Sequence, residues 1–498
     1  MNALAVDLGA SNGRVVVGAY DDHTISLQEV HRFANDPVHV GQRLHWDILR
    51  LLHEVKQGIL RANRAFPSLE SMGIDAWAVD FGLLDADGEL LANPIHYRDA
   101  QTAGMVKAVG DMLGVPWLFG RTGIQIMDIN TIYQLHALLS RDSAPLREAQ
   151  SLLLIPELLR YFLTGRRVSE YSNASTTQLL NLHTRDWDPE ILHRLGLRAS
   201  LFSEIVQPGT PVGSLSAAVC TELGVPSIPV LAVGEHDTAS AVAATPAETE
   251  NFVYLISGTW SLMGTELAQP IVTDEALRLN FTNEGGVRQT FRFLKNIMGL
   301  WLLQECKRAW EQERAPLSFS DMTRLSERAK PFRCFIDPDH PMFLRPAHMP
   351  RQIQEFCRDT GQYVPESEGE VVRCVMESLA LKYRYVFDRI TSITKQRYGG
   401  LHIVGGGVHN SVLCQYTANA VGIPVWAGPD EASSIGNLLV QWIATGHIAD
   451  LQEGRSIVRR SFPATTYDSQ DRRAWEQAYT VFCTVVERRN GHARGRTV

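Results

Sequence analysis

A short strand–turn–strand device occurs twice in this chain, half of its 498-residue length apart. The first copy reads Ala5-Val6-Asp7-Leu8-Gly9-Ala10-Ser11-Asn12-Gly13-Arg14 and runs on into Val15-Val16-Val17. The second reads Tyr254-Leu255-Ile256-Ser257-Gly258-Thr259-Trp260-Ser261. Duplication at this spacing predicts two similar α/β domains, each opening on a hairpin whose turn offers backbone N–H groups to a phosphate chain. An acid ends the first strand and a hydroxyl the second, so the two copies are expected to play different chemical roles. The polar joint at residues 246–251 sets the expected boundary. It gives domains at 1–245 and 246–487, with a basic, disordered tail at 488–498.

A chain of this length outgrows a single hydrophobic core. Its net charge of -8 argues against nucleic acid as a partner. Seven cysteines, an odd number and without CxxC spacing, fit a reducing compartment better than a disulfide scaffold. Cys357 and Cys374 are expected as two separate thiols. The apolar N-terminal run is ended by Asp7 and lacks a basic leader, and no stretch is long and apolar enough to span a bilayer. A soluble cytoplasmic chain is expected, with a monomer plausible and the oligomeric state open.

Asp7 lies where an apolar strand meets a glycine turn, a place where a carboxylate holds Mg²⁺ beside bound phosphates. A second strand follows instead of a helix, which excludes a dinucleotide-binding fingerprint, and the absence of Gly-Lys-Ser/Thr excludes a P-loop. Asp237 follows the buried strand at 229–233 and opens the small-residue helix at 238–244. A carboxylate there can accept the proton of an attacking hydroxyl. Asp-Thr before an Ala-rich helix also satisfies the capping pattern, and the local residues favour the cap.

Gly405-Gly406-Gly407 joins a strand to a helix and permits close approach of a ligand. Residues 428–437 form another glycine-punctuated helix entry. A helix expected over about 295–314 would carry Asn296 and Gln304 near one face, separated by roughly 12 Å. One amide would then touch a small substrate and the other a nucleotide phosphate. A strand expected at 74–84 places Asp75 and Trp77 on one face and Asp80 on the other. With Tyr97-Arg98-Asp99, these residues suggest a sugar wall.

Together these segments resemble the FGGY carbohydrate kinases, almost end to end. Lys295-Asn296-Ile297-Met298-Gly299-Leu300-Trp301-Leu302-Leu303-Gln304 and Ser257-Gly258-Thr259-Trp260-Ser261-Leu262-Met263-Gly264 are the most particular stretches. The resemblance implies two actin-like, ribonuclease-H-like ATPase domains with ATP, Mg²⁺ and a sugar in an interdomain cleft. It implies Asp237 as general base, and His236, Thr238, Asn296, Ala78, Trp77 and Asp80 around the sugar. It likewise implies Ala10, Ser11, Asn12, Gly13, Arg14, Thr259, Gln304 and Gly406 on the nucleotide; Asp7, by its place at the strand end, is the residue expected on the metal. The sugar expected is L-rhamnulose, phosphorylated at its 1-hydroxyl, with L-fuculose or D-xylulose as alternatives. A non-catalytic sugar or nucleotide sensor is the rival of another class. Two departures touch the sugar pocket. Ala78 stands where the family pattern has glycine, and Gln101 where it usually has arginine.

Overall fold

The computed structural model describes residues 1–313 and 317–492, the side chains of 488–492 excepted. The chain divides into two compact units. Unit 1 comprises Met1–Glu248, Glu266–Leu294 and Glu431–Phe462, and unit 2 comprises Thr249–Thr265, Lys295–Asp430 and Pro463–Val498. Each unit therefore takes more than one stretch of sequence. The segment Glu431–Phe462, far along the chain, packs with the N-terminal residues.

Unit 1 is built on a six-stranded mixed sheet of β1 (Asn2–Leu8), β2 (Asn12–Tyr20), β3 (Ile25–Ala34), β4 (Leu69–Ala76), β5 (Pro211–Ser214) and β6 (Pro229–Leu231). The spatial order is β5-β6-β4-β1-β2-β3. The apolar runs of β1, β4 and β6 suit central strands buried on both faces, and these three lie parallel and adjacent. β2 and β3 complete an antiparallel meander. Helices Thr131–Ser140, Ile155–Thr164 and Pro189–Leu195 fall where the apolar periodicity predicts them.

Unit 2 repeats the scheme. The second sheet has seven strands: β7 (Val253–Ser257), β8 (Trp260–Leu267), β9 (Phe291–Met298), β10 (Leu401–Val404), β11 (Val425–Ala427) and β12 (Thr465–Tyr467), in the order β9-β8-β7-β10-β11-β12, with Thr282–Gly285 at the edge beside β9. As in unit 1, the opening hairpin is antiparallel, the next two pairings are parallel and the last is antiparallel. The duplication read from two short motifs extends to whole sheets.

Several expectations need correction. Residues 291–298 form strand β9, and the helix begins only at Trp301, its described residues being Trp301–Glu313. Asn296 and Gln304 therefore do not share a helical face. The strand expected at 74–84 breaks at Ala76 and resumes at Phe81. Between them Val79 adopts φ 69°, a left-handed conformation that costs a β-branched residue about 1–3 kcal/mol. Its carbonyl is held by Thr131 Oγ1 at 2.7 Å. Helix Asp237–Ala243 has His236 as its N-cap, so Asp237 is the first helical residue and does not cap the helix.

The final helix, Arg472–His492, includes residues 488–492 that were expected in a frayed tail, and 493–498 lie outside the described residues. Cys357 and Cys374 are not separate. With Cys334 they bring three free, buried sulfur atoms within 4.8 Å of one another. The neighbouring thiols of Cys334 and Cys374 hold the Cys357 thiol below the ordinary cysteine range. Among the described residues, no helix is long and apolar enough to cross a membrane.

Candidate active site

Three acids converge at the carboxyl ends of the parallel strands of unit 1, where open α/β sheets commonly bind ligands. Asp7 and Asp75 are direct partners in the β1–β4 register. Asp237 arrives from the loop after β6, which Ala76 joins through a parallel bridge to His236 and a 3.0 Å bond from its N–H to the Glu235 carbonyl. Burial, then the charge of Asp7, raises the Asp75 carboxyl well above the ordinary aspartate range. Asp237 is also raised, chiefly by burial, with Asp7 adding to the effect and His236 opposing it. Its side chain nevertheless keeps 26% of its surface exposed, enough for a substrate hydroxyl to reach it.

Helix Ala432–Ala444 fixes two of these acids. On one face, at spacings of three and four, it carries Ser434, Asn437 and Gln441. Ser434 Oγ donates to Asp7 Oδ2 at 2.9 Å, and Asn437 Nδ2 donates to Asp75 Oδ2 at 2.6 Å. Gln441 Nε2 donates to the Leu4 carbonyl at 3.0 Å and so ties the helix to β1. Against helix Asp237–Ala243 this helix presents Gly436, where a Cβ would come within 1.7 Å of the Ser240 carbonyl. Ser434 and Asn437 were missed in the sequence. The available signal was their helical spacing within an otherwise apolar segment.

Arg14 Nε donates to Asp7 Oδ2 at 3.1 Å, and its NH1 pairs with Glu431. Burial works against the Arg14 charge, but Asp7 and Glu431 more than offset this and raise its pKa. In the turn itself Ala10 is half-buried, Ser11 and Asn12 are exposed, and Gly13 is buried opposite Leu8. Asn35 braces the turn by donating from Nδ2 to the Gly9 carbonyl at 2.9 Å.

The loop bearing Asp237 is held from behind by buried acids. Glu170 Oε2 accepts the Glu235 N–H at 3.1 Å and the Ser172 hydroxyl at 2.5 Å. Ser172 Oγ in turn accepts the His236 N–H at 3.3 Å. Glu235 is paired with the fully buried Arg160 at 2.8 Å. Burial and the nearby Glu235 charge push Glu170 up to about 8. Thr238 Oγ1 donates to Asp237 Oδ1 at 3.1 Å.

Asp80, expected in a sugar wall, is turned toward protein donors. Its Oδ2 accepts Trp46 Nε1 at 2.6 Å, Trp77 Nε1 at 3.1 Å and the Tyr97 N–H at 3.2 Å, while Oδ1 accepts Gln134 Nε2 at 2.9 Å. Fully buried, it is pushed up to about 7. Four protein donors thus occupy a carboxylate that the sequence reading placed against a sugar. What it does is orient Trp77, whose ring lies 4.1 Å from that of Trp46. Ala78 is half-buried beside it.

In unit 2 the second hairpin gathers the expected nucleotide residues. Gln304 Nε2 donates to Thr259 Oγ1 at 3.4 Å, and the Trp301 N–H donates to the Thr259 carbonyl at 3.1 Å. The glycine turn packs on the same hairpin. A Cβ on Gly407 would fall 1.9 Å from Ser257 Oγ, whereas one on Gly406 would meet nothing within 4 Å. Gly407 is therefore required by packing, and Gly406 faces open space. Asn296 is half-buried on β9.

Acids at the ends of adjacent parallel strands in one sheet, with a neutral, glycine-flanked turn in a second sheet of the same pairing scheme, define a mixed α/β protein of two actin-like domains. Residues 2–244 match the N-terminal domain of the FGGY family of carbohydrate kinases and residues 253–445 its C-terminal domain. The chain belongs to that family, whose members use ATP. It is 44% identical over 485 residues to a rhamnulokinase of Bacteroides thetaiotaomicron, covering 97% of this chain and 99% of the relative. A rhamnulokinase of Bacillus subtilis is 39% identical, with 94% of this chain and 95% of the relative covered. The fold is similar to a xylulose kinase from Lactobacillus acidophilus (TM-score 0.81, 16% identity, 99% and 98% covered). It is also similar to a glycerol kinase from Plasmodium falciparum with ADP (TM-score 0.76, 15% identity, 98% and 98% covered).

Proposed function

We propose that the protein transfers the γ-phosphoryl group of ATP to the 1-hydroxyl of L-rhamnulose, giving ADP and L-rhamnulose 1-phosphate. The observation that carries the choice of sugar is the near-full-length identity to proteins named rhamnulokinase. Phosphoryl transfer needs positioning and charge neutralisation more than covalent chemistry. Asp237 takes the proton of the 1-hydroxyl as that oxygen attacks phosphorus. His236, Thr238, Asn296, Ala78 and Trp77 orient the ketose, and Asp80 holds Trp77. Ala10, Ser11, Asn12, Gly13 and Arg14 are assigned to the phosphates, and Thr259, Gln304 and Gly406 to the rest of the nucleotide.

The donor set beside the turn fits a divalent cation. Asp75 Oδ1 is buried without a hydrogen-bond partner, and Asp7 and Asp75 face one another across the register. These two residues would hold Mg²⁺, which when bound neutralises phosphate charge. ADP release by purified protein over a panel of ketoses and polyols tests the assignment. The highest kcat/KM is expected with L-rhamnulose. A higher value with L-fuculose or D-xylulose would reassign the sugar, and no sugar-dependent release with any of them would overturn the reading.

A further inference from the structure

Two buried residues, Arg292 and Glu284, pack against the His236 ring at Nδ1. Arg292 is fully buried, and its NH2 approaches His236 Nδ1 at 3.0 Å with geometry suited to donation. Its Nε donates to the Gly285 carbonyl at 2.8 Å, which fixes the plane of the guanidinium. Glu284, also buried, places Oε2 at 3.2 Å from Arg292 NH2 and 3.4 Å from His236 Nδ1. Glu284 and Arg292 are direct cross-strand partners in the hairpin of Thr282–Gly285 against the start of β9, so rigid backbone aligns them. From the other side of the ring, Nε2 lies 3.5 Å from Asp237 Oδ1.

A guanidinium donates from every nitrogen and accepts at none. Donation across the 3.0 Å contact, shorter than the 3.4 Å separation of Nδ1 from Glu284 Oε2, needs a lone pair on Nδ1 and so puts the ring proton on Nε2. The other tautomer would set an N–H against an N–H at that distance. With Nε2 protonated, His236 is a donor on the side of Asp237 and has no free nitrogen to accept a substrate proton. Asp237 is then the one of the pair that can act as base.

We propose that Arg292, aligned by its cross-strand partner Glu284, is a positioning residue that holds His236 as the Nε2–H tautomer. His236 thereby donates to a ketose oxygen while the hydroxyl proton goes to Asp237. The proposal rests on the placement of His236 and Asp237 at the sugar, and its two tests separate it from that reading.

The first test is ¹⁵N NMR of the wild-type chain labelled at histidine, with the His236 signals assigned by their loss in His236→Gln. An unprotonated Nδ1 and a protonated Nε2 at neutral pH are expected, and a protonated Nδ1 overturns the proposal whatever the substrate proves to be. The second is kinetic. Arg292→Met should raise the ketose KM by about tenfold or more and leave the ATP KM within about twofold. Arg292→Lys, which restores a donor, should recover at least half of the loss. Equal defects in the two variants, or a parallel rise in the ATP KM, overturn it. Should Arg292→Met fail to fold, as judged by circular dichroism, the wild-type tautomer decides. A wild-type enzyme inactive on every ketose would instead sink the functional reading and leave the tautomer measurement standing.

Discussion

The two opening hairpins share a backbone and differ in what surrounds them. At the first, β1 ends in an acid that is paired with Arg14, bonded by Ser434 and set opposite a second buried acid, Asp75. At the second, β7 ends in Ser257, β8 begins beside Ser261, which shares a 2.7 Å bond with the Tyr383 hydroxyl, and Thr259 meets Gln304. One end gathers carboxyl groups out of water, and the other offers neutral hydroxyls and amides. A duplicated scaffold has thus diverged through its neighbours. We assign phosphoryl-transfer chemistry to the acid end and nucleotide binding to the hydroxyl end.

Substitutions at the two ends should therefore separate kcat from KM. The largest effect is expected from Asp237→Asn, which keeps the shape and removes the base. It should lower kcat by about 10³-fold with the ketose KM nearly unchanged, as measured in a coupled assay. In the wild type, Asp237 must be ionised to act, and its raised pKa means that kcat should start to fall, as pH is lowered, above the ordinary aspartate range. An acid limb lying at or below that range would contradict this. Next comes Asp7→Asn, for which a loss of about 10²-fold in kcat is expected, with an increased Mg²⁺ requirement. Thr259→Ala at the hydroxyl end should raise the ATP KM about three- to tenfold and leave kcat within about twofold. A large kcat defect there would erase the distinction between the hairpins.

The smallest effect concerns stability. Asp80 binds its proton more tightly folded, with a pKa of about 7, than unfolded near 3.8. The folded state thus carries the extra proton within that window, and this contribution to stability falls as pH rises from about 4 to about 7, then levels off. Calorimetry should show Asp80→Asn losing less Tm than wild type between pH 5 and pH 8.

Much of this contrast was legible in the sequence because it is local. Apolar runs closed by Asp7-Leu8-Gly9 and Ser257-Gly258 specify strand and turn without help from elsewhere, and β1, β2, β7 and β8 follow from them. The rest depends on pairings that no local pattern encodes. Asp75 was read as part of a sugar wall, and only the parallel β1–β4 register sets it against Asp7. Ser434 and Asn437 act on acids hundreds of residues away. Asn296 sits in a stretch with helical spacing, yet pairing within the sheet makes it a strand. Asp80 reads as a ligand until four buried donors claim its oxygens. Polar residues whose partners are distant in sequence were the ones misread.

We assign the acids at the first hairpin to the chemical step and the second hairpin to nucleotide binding. Asp75→Asn and Gln304→Ala, measured side by side in steady state with L-rhamnulose and ATP, test this assignment most directly. For Asp75→Asn a kcat reduced about 10²-fold is expected, with the ATP KM within about threefold. For Gln304→Ala the converse is expected, a raised ATP KM and a nearly intact kcat. An Asp75→Asn enzyme that keeps the wild-type kcat would contradict the assignment.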